Sequence, residues 1–210
     1  MARVTQAHVD SRRTDILEAA LRMFAQKGVV AATMQEVAGE AGISTGAIYR
    51  YFPGKDELLQ AVFEEISERD KVSFMHAAGD ISSPADALLN VGRVVTESLK
   101  LSSVQDETML VLEEILAEHR GDGSRLRRRD VQQAHLATLE QLVRQAQEAG
   151  GLDREIDPWA FAVILLCCIN GVRVLSLEME DSIDMDEVFG ALQSVLFRFA
   201  PSSPSKKEET

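Results

Sequence analysis

Residues 42–59 read GISTGAIYRYFPGKDELL. Ile48 and Phe52 fall at i and i+4, which marks a short helix with one inward face, and Pro53-Gly54 closes it. The remaining positions are Thr45, Gly46, Ala47, Tyr49, Arg50 and Tyr51. Stability alone does not favour that composition, because glycine inside a helix costs roughly 0.5–1 kcal/mol relative to alanine. Small residues at 46 and 47 let the backbone approach a flat or grooved partner closely. The DNA major groove, about 12 Å wide, admits one helix. In such a groove Thr45 would meet a thymine methyl or a base edge, and Arg50 a guanine, while Tyr49 and Tyr51 would reach phosphates. Packing of either tyrosine against the first helix is the alternative. Lys55 opens the next helix, where a cation opposes the dipole. A phosphate at that end reverses the sign, since free N–H groups and the ammonium then face one anion.

Upstream, TMQE at residues 33–36 has the spacing of a capping box, with Thr33 as cap and Glu36 reaching back. Met34, Val37, Ala38 and Ala41 follow at i, i+3, i+4, i+7, and Gly42 ends that helix. Ser44 caps the next. Two helices joined by AGIS therefore form a helix-turn-helix. A helix before them, from Ser11 or Arg12 to Gln26, places Ile16, Ala20 and Phe24 on one face with Leu17 and Leu21 beside it, and Gly28 stops it. Downstream, the helix from Lys55 carries Leu58, Leu59, Val62, Phe63 and Ile66.

The remainder reads as further helices over about 83–101, 105–118, 125–149, 158–179 and 185–199, giving an all-α chain of about nine. Ser83-Pro84 and Asp157-Pro158 are cap and first-position pairs. The helix from 158 is apolar nearly all round and is expected to be buried on most sides. PSSPSKKEET, at the end, reads as a disordered tail.

Composition narrows the function. The 210 residues carry a net charge of −12, yet residues 1–56 hold seven basic and six acidic side chains, leaving −13 for the rest. A near-neutral head on an acidic body lets one end approach a polyanion. The two cysteines, Cys167 and Cys168, are adjacent, so a reducing cytoplasm is the simplest setting. The longest apolar run, Trp159–Ile169, has eleven residues, short of the ~20 that span a bilayer, and no membrane partner is expected. HExxH, GxxxxGK[ST], GxSxG and paired ExxH motifs are lacking, so neither an enzyme, a metal site nor a cofactor is expected.

TMQEVAGEAGISTGAIYRYFPGKDELL resembles the DNA-binding motif of the TetR family of bacterial transcriptional regulators, over about Ile16–Phe63. The resemblance implies an all-α homodimer with an N-terminal three-helix helix-turn-helix domain and a larger helical ligand-binding and dimerisation domain. The corresponding divisions are 1–56, 57–200 and a tail at 201–210. Thr45, Gly46, Ala47 and Arg50 would face bases, and Thr33, Ser44, Tyr49, Tyr51 and Lys55 would hold phosphates. The implied activity is repression of a palindromic operator, released by a small-molecule effector. An activator or architectural factor without small-molecule control remains the alternative.

The last two expected helices carry wide apolar stripes, suited to a four-helix bundle formed by two chains. Candidates for an effector site are Phe63, Phe74, Met75, Met109, Leu112, Leu116, His135, Trp159, Asn170 and Arg173. These are large, soft or aromatic side chains, plus polar residues that interrupt apolar helices, and they suggest an apolar or aromatic effector. Ordinary core packing is the competing account of the apolar members. Buried packing is likewise the default for the two cysteines.

Overall fold

The computed structural model describes residues 6–79, 90, 92–94, 97–99, 101–121, 125–179 and 182–198; among these, all regular structure is helical. The helices are α1 (Gln6–Lys27), α2 (Met34–Glu40), α3 (Thr45–Ile48), α4 (Lys55–Gly79), α5 (Ser102–Arg120), α6 (Arg125–Glu148), α7 (Pro158–Met179) and α8 (Met185–Arg198). The described part of 90–98 is helical too. The rest of the helix expected over 83–101, and the tail at 201–210, lie outside the described residues.

The chain divides into two compact units. The first comprises Met1–Arg69 and Leu101–Gln132, the second Asp70–Lys100 and Gln133–Thr210. These packing units differ from a division at residue 56. The physical reason lies in α5, whose Leu110 is fully buried in the same core as Phe24, Val37, Ile48 and Leu58.

In the first unit, α1 packs against α2 and α5, and α2 against α3. Ile16, Ala20 and Phe24 are completely buried, as their spacing predicts. α1 begins earlier than Ser11. No proline or glycine interrupts residues 6–11, so the helix runs through the residue expected to open it. Gly28 ends it in the left-handed conformation, φ +82°.

The second unit is centred on Phe74, Leu139, Leu142, Val143, Ala146, Phe161, Ala162 and Leu166. Gly150, φ +76°, turns the chain after α6. Gln147 Nε2 then donates to Asp153 O and Ile156 O, both at 2.8 Å, and ties down the following loop. Asp157 Oδ1 accepts from Ala160 N at 2.7 Å, capping α7 at the expected place.

α7 is not buried on most sides within the single chain. Only Phe161, Ala162 and Leu166 are buried, whereas Ile164 is 56% exposed and Leu175 45%. One chain supplies neighbours for one face of this helix and leaves an apolar stripe uncovered. By length and composition α7 is also apolar enough to cross a bilayer, with a mean hydropathy of 2.2. A count of unbroken apolar residues misses this, because Asn170 and Gly171 interrupt the run without ending the helix.

Candidate nucleic-acid interface

Thr33 adopts the extended conformation of an N-cap and completes the capping box. Glu36 N donates to Thr33 Oγ1 at 3.3 Å, while Thr33 N donates to Glu36 Oε2 at 3.0 Å. Lys27 Nζ donates to the other Glu36 oxygen at 2.6 Å. Hydrogen bonds from Lys27 and then Thr33 hold the Glu36 carboxyl at about 2, so it stays ionised far into acid. Gly42, φ +65°, makes the turn that a side chain would strain, and Ile43 N returns to Ala38 O at 2.9 Å.

Ser44 caps α3, its Oγ accepting from Ala47 N at 3.2 Å. The α-helical part of α3 is one turn, Thr45–Ile48. Beyond it the bonds Tyr51 N to Ile48 O (2.9 Å) and Phe52 N to Ile48 O (3.0 Å) continue the segment as a turn. Ile48 and Phe52 point inward and are buried, at 0% and 4% exposure. Arg13 lies over the Phe52 ring, 5.5 Å from its centroid.

The opposite face is open. Thr45, Gly46, Tyr49 and Arg50 are exposed, and Ala47 is half-buried. A Cβ placed on Gly46 would meet no atom within 4 Å. Nothing among the described residues therefore requires glycine there. The two tyrosines differ: Tyr49 is exposed, whereas Tyr51 is half-buried against the head's core. Ser44 and Thr33 are exposed, but both hydroxyls already serve as helix caps.

Lys55 has a local use that its position did not reveal. Its ammonium donates to Val30 O at 2.9 Å and Ala32 O at 3.1 Å, both in the connection between α1 and α2. Asp56 and Glu57 follow in the first turn of α4 and suit the helix dipole. A cation at this helix start is thus explained within the chain. Of its three donors, one remains beyond these two bonds. Lys55→Ala is expected to lower the stability of the head by about 1–3 kcal/mol, as for a charge-assisted hydrogen-bonded group. If the third donor meets a phosphate, affinity for all DNA sequences also falls similarly and the salt slope drops by about one. Denaturation and salt titration separate the two effects. A lower stability with an unchanged slope limits Lys55 to the structural role.

Two residues passed over in the sequence complete the picture. Glu113 of α5 accepts from Val29 N at 2.7 Å and so holds the α1–α2 connection from another side. Asp70, 7% exposed, lies between His135 and Arg173 in the second unit. Its signal was present: Phe63, Ile66, Asp70 and Phe74 share one helical face, so an acid occupies an inward position.

The effector candidates fall in both units. Phe63, 2% exposed, belongs to the core of the first unit. Met109 and Leu116 are exposed on α5, and Leu112 there is half-buried. In the second unit Met75 and Trp159 are exposed and Asn170 is half-buried. Phe74, His135 and Arg173 are brought together around Asp70.

A short helix bearing small, basic and tyrosyl residues, held by a capped partner helix and a glycine turn, has the form of a helix-turn-helix. Residues 16–62 match the model of the bacterial regulatory proteins of the tetR family. The match to that family covers this amino-terminal segment of the chain. It is 47% identical over 62 residues to the HTH-type transcriptional regulator SrpR of Pseudomonas putida. That match takes in 30% of this chain and 29% of SrpR, less than a third of the relative's length. It is 29% identical over 195 residues to the HTH-type transcriptional regulator TtgR of Pseudomonas putida, covering 88% of this chain and 89% of TtgR. Among solved structures, the fatty acid degradation regulator FadR of Bacillus halodurans shares the fold with a TM-score of 0.75 at 19% identity, over 89% of this chain and 94% of FadR.

Proposed function

We propose that this chain is a cytoplasmic transcriptional repressor that binds a palindromic operator as a homodimer and leaves it when a small molecule binds the body. The observation that carries the reading is the outer face of α3. Gly46 there has only open space above it, and Thr45, Tyr49 and Arg50 stand exposed around it. In this reading residues 1–56 are the DNA-binding domain and 57–200 the effector-binding and dimerisation domain. Thr45, Gly46, Ala47 and Arg50 face bases. Thr33, Ser44, Tyr49, Tyr51 and Lys55 lie along the phosphates.

The uncovered apolar stripe of α7 supports the dimer. Ile164, Cys168, Gly171 and Leu175 recur at i, i+4, i+7 and i+11 and are all exposed in the single chain. α8 adds exposed Ala191 and Val195. Two copies of such a pair form a four-helix bundle and cover these faces. A two-fold dimer places its reading helices one or more helical turns apart, about 34–36 Å per turn, on a palindrome.

Purified chain is expected to retain double-stranded DNA with steep salt dependence, and to select one palindrome from a random-sequence library. Arg50→Ala should relax preference at one base position per half-site, losing about 1–3 kcal/mol of discrimination there. A selected site that is unchanged in the variant removes Arg50 from the base readers. No salt-sensitive retention of any duplex by the wild-type chain overturns the function as a whole.

A further inference from the structure

Asp70 of α4, His135 of α6 and Arg173 of α7 meet inside the second unit. Asp70 is 7% exposed and His135 6%. Arg173 Nη2 donates to Asp70 Oδ2 at 3.3 Å. His135 Nε2 stands 3.7 Å from the same oxygen, beyond hydrogen-bond reach. Two fully buried nitrogens here, His135 Nε2 and Arg173 Nε, have no hydrogen-bond partner among the described residues. Buried polar atoms are nearly always satisfied, by protein, water or ligand. Their surroundings are apolar. The Phe74 ring lies 6.2 Å from the imidazole, tilted by 57°, and Leu136, Leu165 and Ile169 pack on the same core.

We infer that His135 Nε2 and Arg173 Nε bind a single oxygen atom of the effector, an uncharged and largely apolar molecule carrying one hydroxyl or carbonyl group. This deepens the small-molecule control proposed above and rests on it. Arg173 Nε–H is a donor at any pH, and a neutral imidazole can present Nε2–H as a second. One oxygen has lone pairs for both. The charge balance selects against anions. Asp70 and Arg173 already neutralise one another. Burial lowers the pKa of His135, against the opposing pull of Asp70, so the imidazole is neutral at pH 7.5. A carboxylate would bring an uncompensated charge into this core.

The test uses the full-length protein at pH 7.5 and three probes of one shape: 2-naphthol, 2-methylnaphthalene and 2-naphthoate. Affinity is measured by calorimetry, and the imidazole nitrogens of His135 are followed by NMR in ¹⁵N-labelled protein. 2-Naphthol is expected to bind at least about tenfold more tightly than either analogue, the scale of a buried polar group losing its partner. It should also shift the His135 Nε2 resonance. In His135→Phe the preference over 2-methylnaphthalene should fall about tenfold. Should that variant fail to fold, the wild-type affinity ratios and the nitrogen shift decide alone. Equal or tighter binding of either analogue overturns the inference, as does binding that leaves the His135 nitrogen unmoved; a buried water only then satisfies the pair. DNA retention without any probe separates the two proposals. A chain that binds duplex DNA but shows no naphthol preference sinks this inference alone, whereas absence of DNA binding sinks the regulator reading whatever the probes do.

Discussion

Gly46→Leu is expected to abolish specific DNA binding while leaving the protein folded. Leucine is the better helix former, by up to about 1 kcal/mol in a helix interior, so the head is not weakened by propensity. The new side chain also starts in open space, since a Cβ at this position has no neighbour within 4 Å among the described residues. All of its added bulk projects from the exposed face of α3. If that face seats in a groove, the leucine holds the backbone away from the base edges that Thr45 and Arg50 must reach. Specific binding typically exceeds non-specific binding by about 10³–10⁷, so the variant should lose at least ~10³-fold and retain only salt-sensitive, sequence-independent affinity. Circular dichroism and melting check the fold, and gel retention on the selected palindrome checks the binding. Wild-type affinity in a folded Gly46→Leu protein would refute the docking face.

Gly171→Glu should convert the proposed dimer into monomers. Gly171 lies on the exposed stripe of α7 with Ile164, Cys168 and Leu175, and an added Cβ would again touch none of the described residues. In a monomer the substitution is an ordinary surface change. In a two-fold bundle it places two carboxylates in an apolar seam, at about 3–5 kcal/mol for each buried unpaired charge. Dissociation should therefore strengthen by at least ~10⁴-fold. Sedimentation would show half the mass, and affinity for a palindrome would fall to that for a single half-site. An unchanged mass places the interface elsewhere. Openness at a glycine is not sufficient evidence for a partner, since Gly39 and Gly190 are equally unencumbered. At 46 and 171 it coincides with a second feature, basic and tyrosyl neighbours in one case and an apolar stripe in the other.

Features that depend on near neighbours in the chain were legible from the residues. The capping box of Thr33 and Glu36, the Ser44 and Asp157 caps and the inward pair Ile48 and Phe52 all appear where spacing placed them. Each is decided within about one helical turn, by hydrogen bonds and periodicity that neighbouring residues already specify. The left-handed turn at Gly42 is legible for the same reason.

Contacts between residues distant in the chain had no such local code. Lys55 donates across 23 and 25 residues to the α1–α2 connection, Glu113 accepts across 84, and Arg173 reaches Asp70 across 103. Packing chose these partners, because a buried charge must find whatever opposite charge or hydrogen-bonding group the assembled helices bring near. Folding likewise assigned Phe63 to the head's core and left Trp159 exposed, although both are large apolar residues by composition. The amino acids alone specified helices, caps and the bare face of α3. The packed fold settled where charges were neutralised and which apolar surface stayed uncovered, since burial is a property of all the neighbours together.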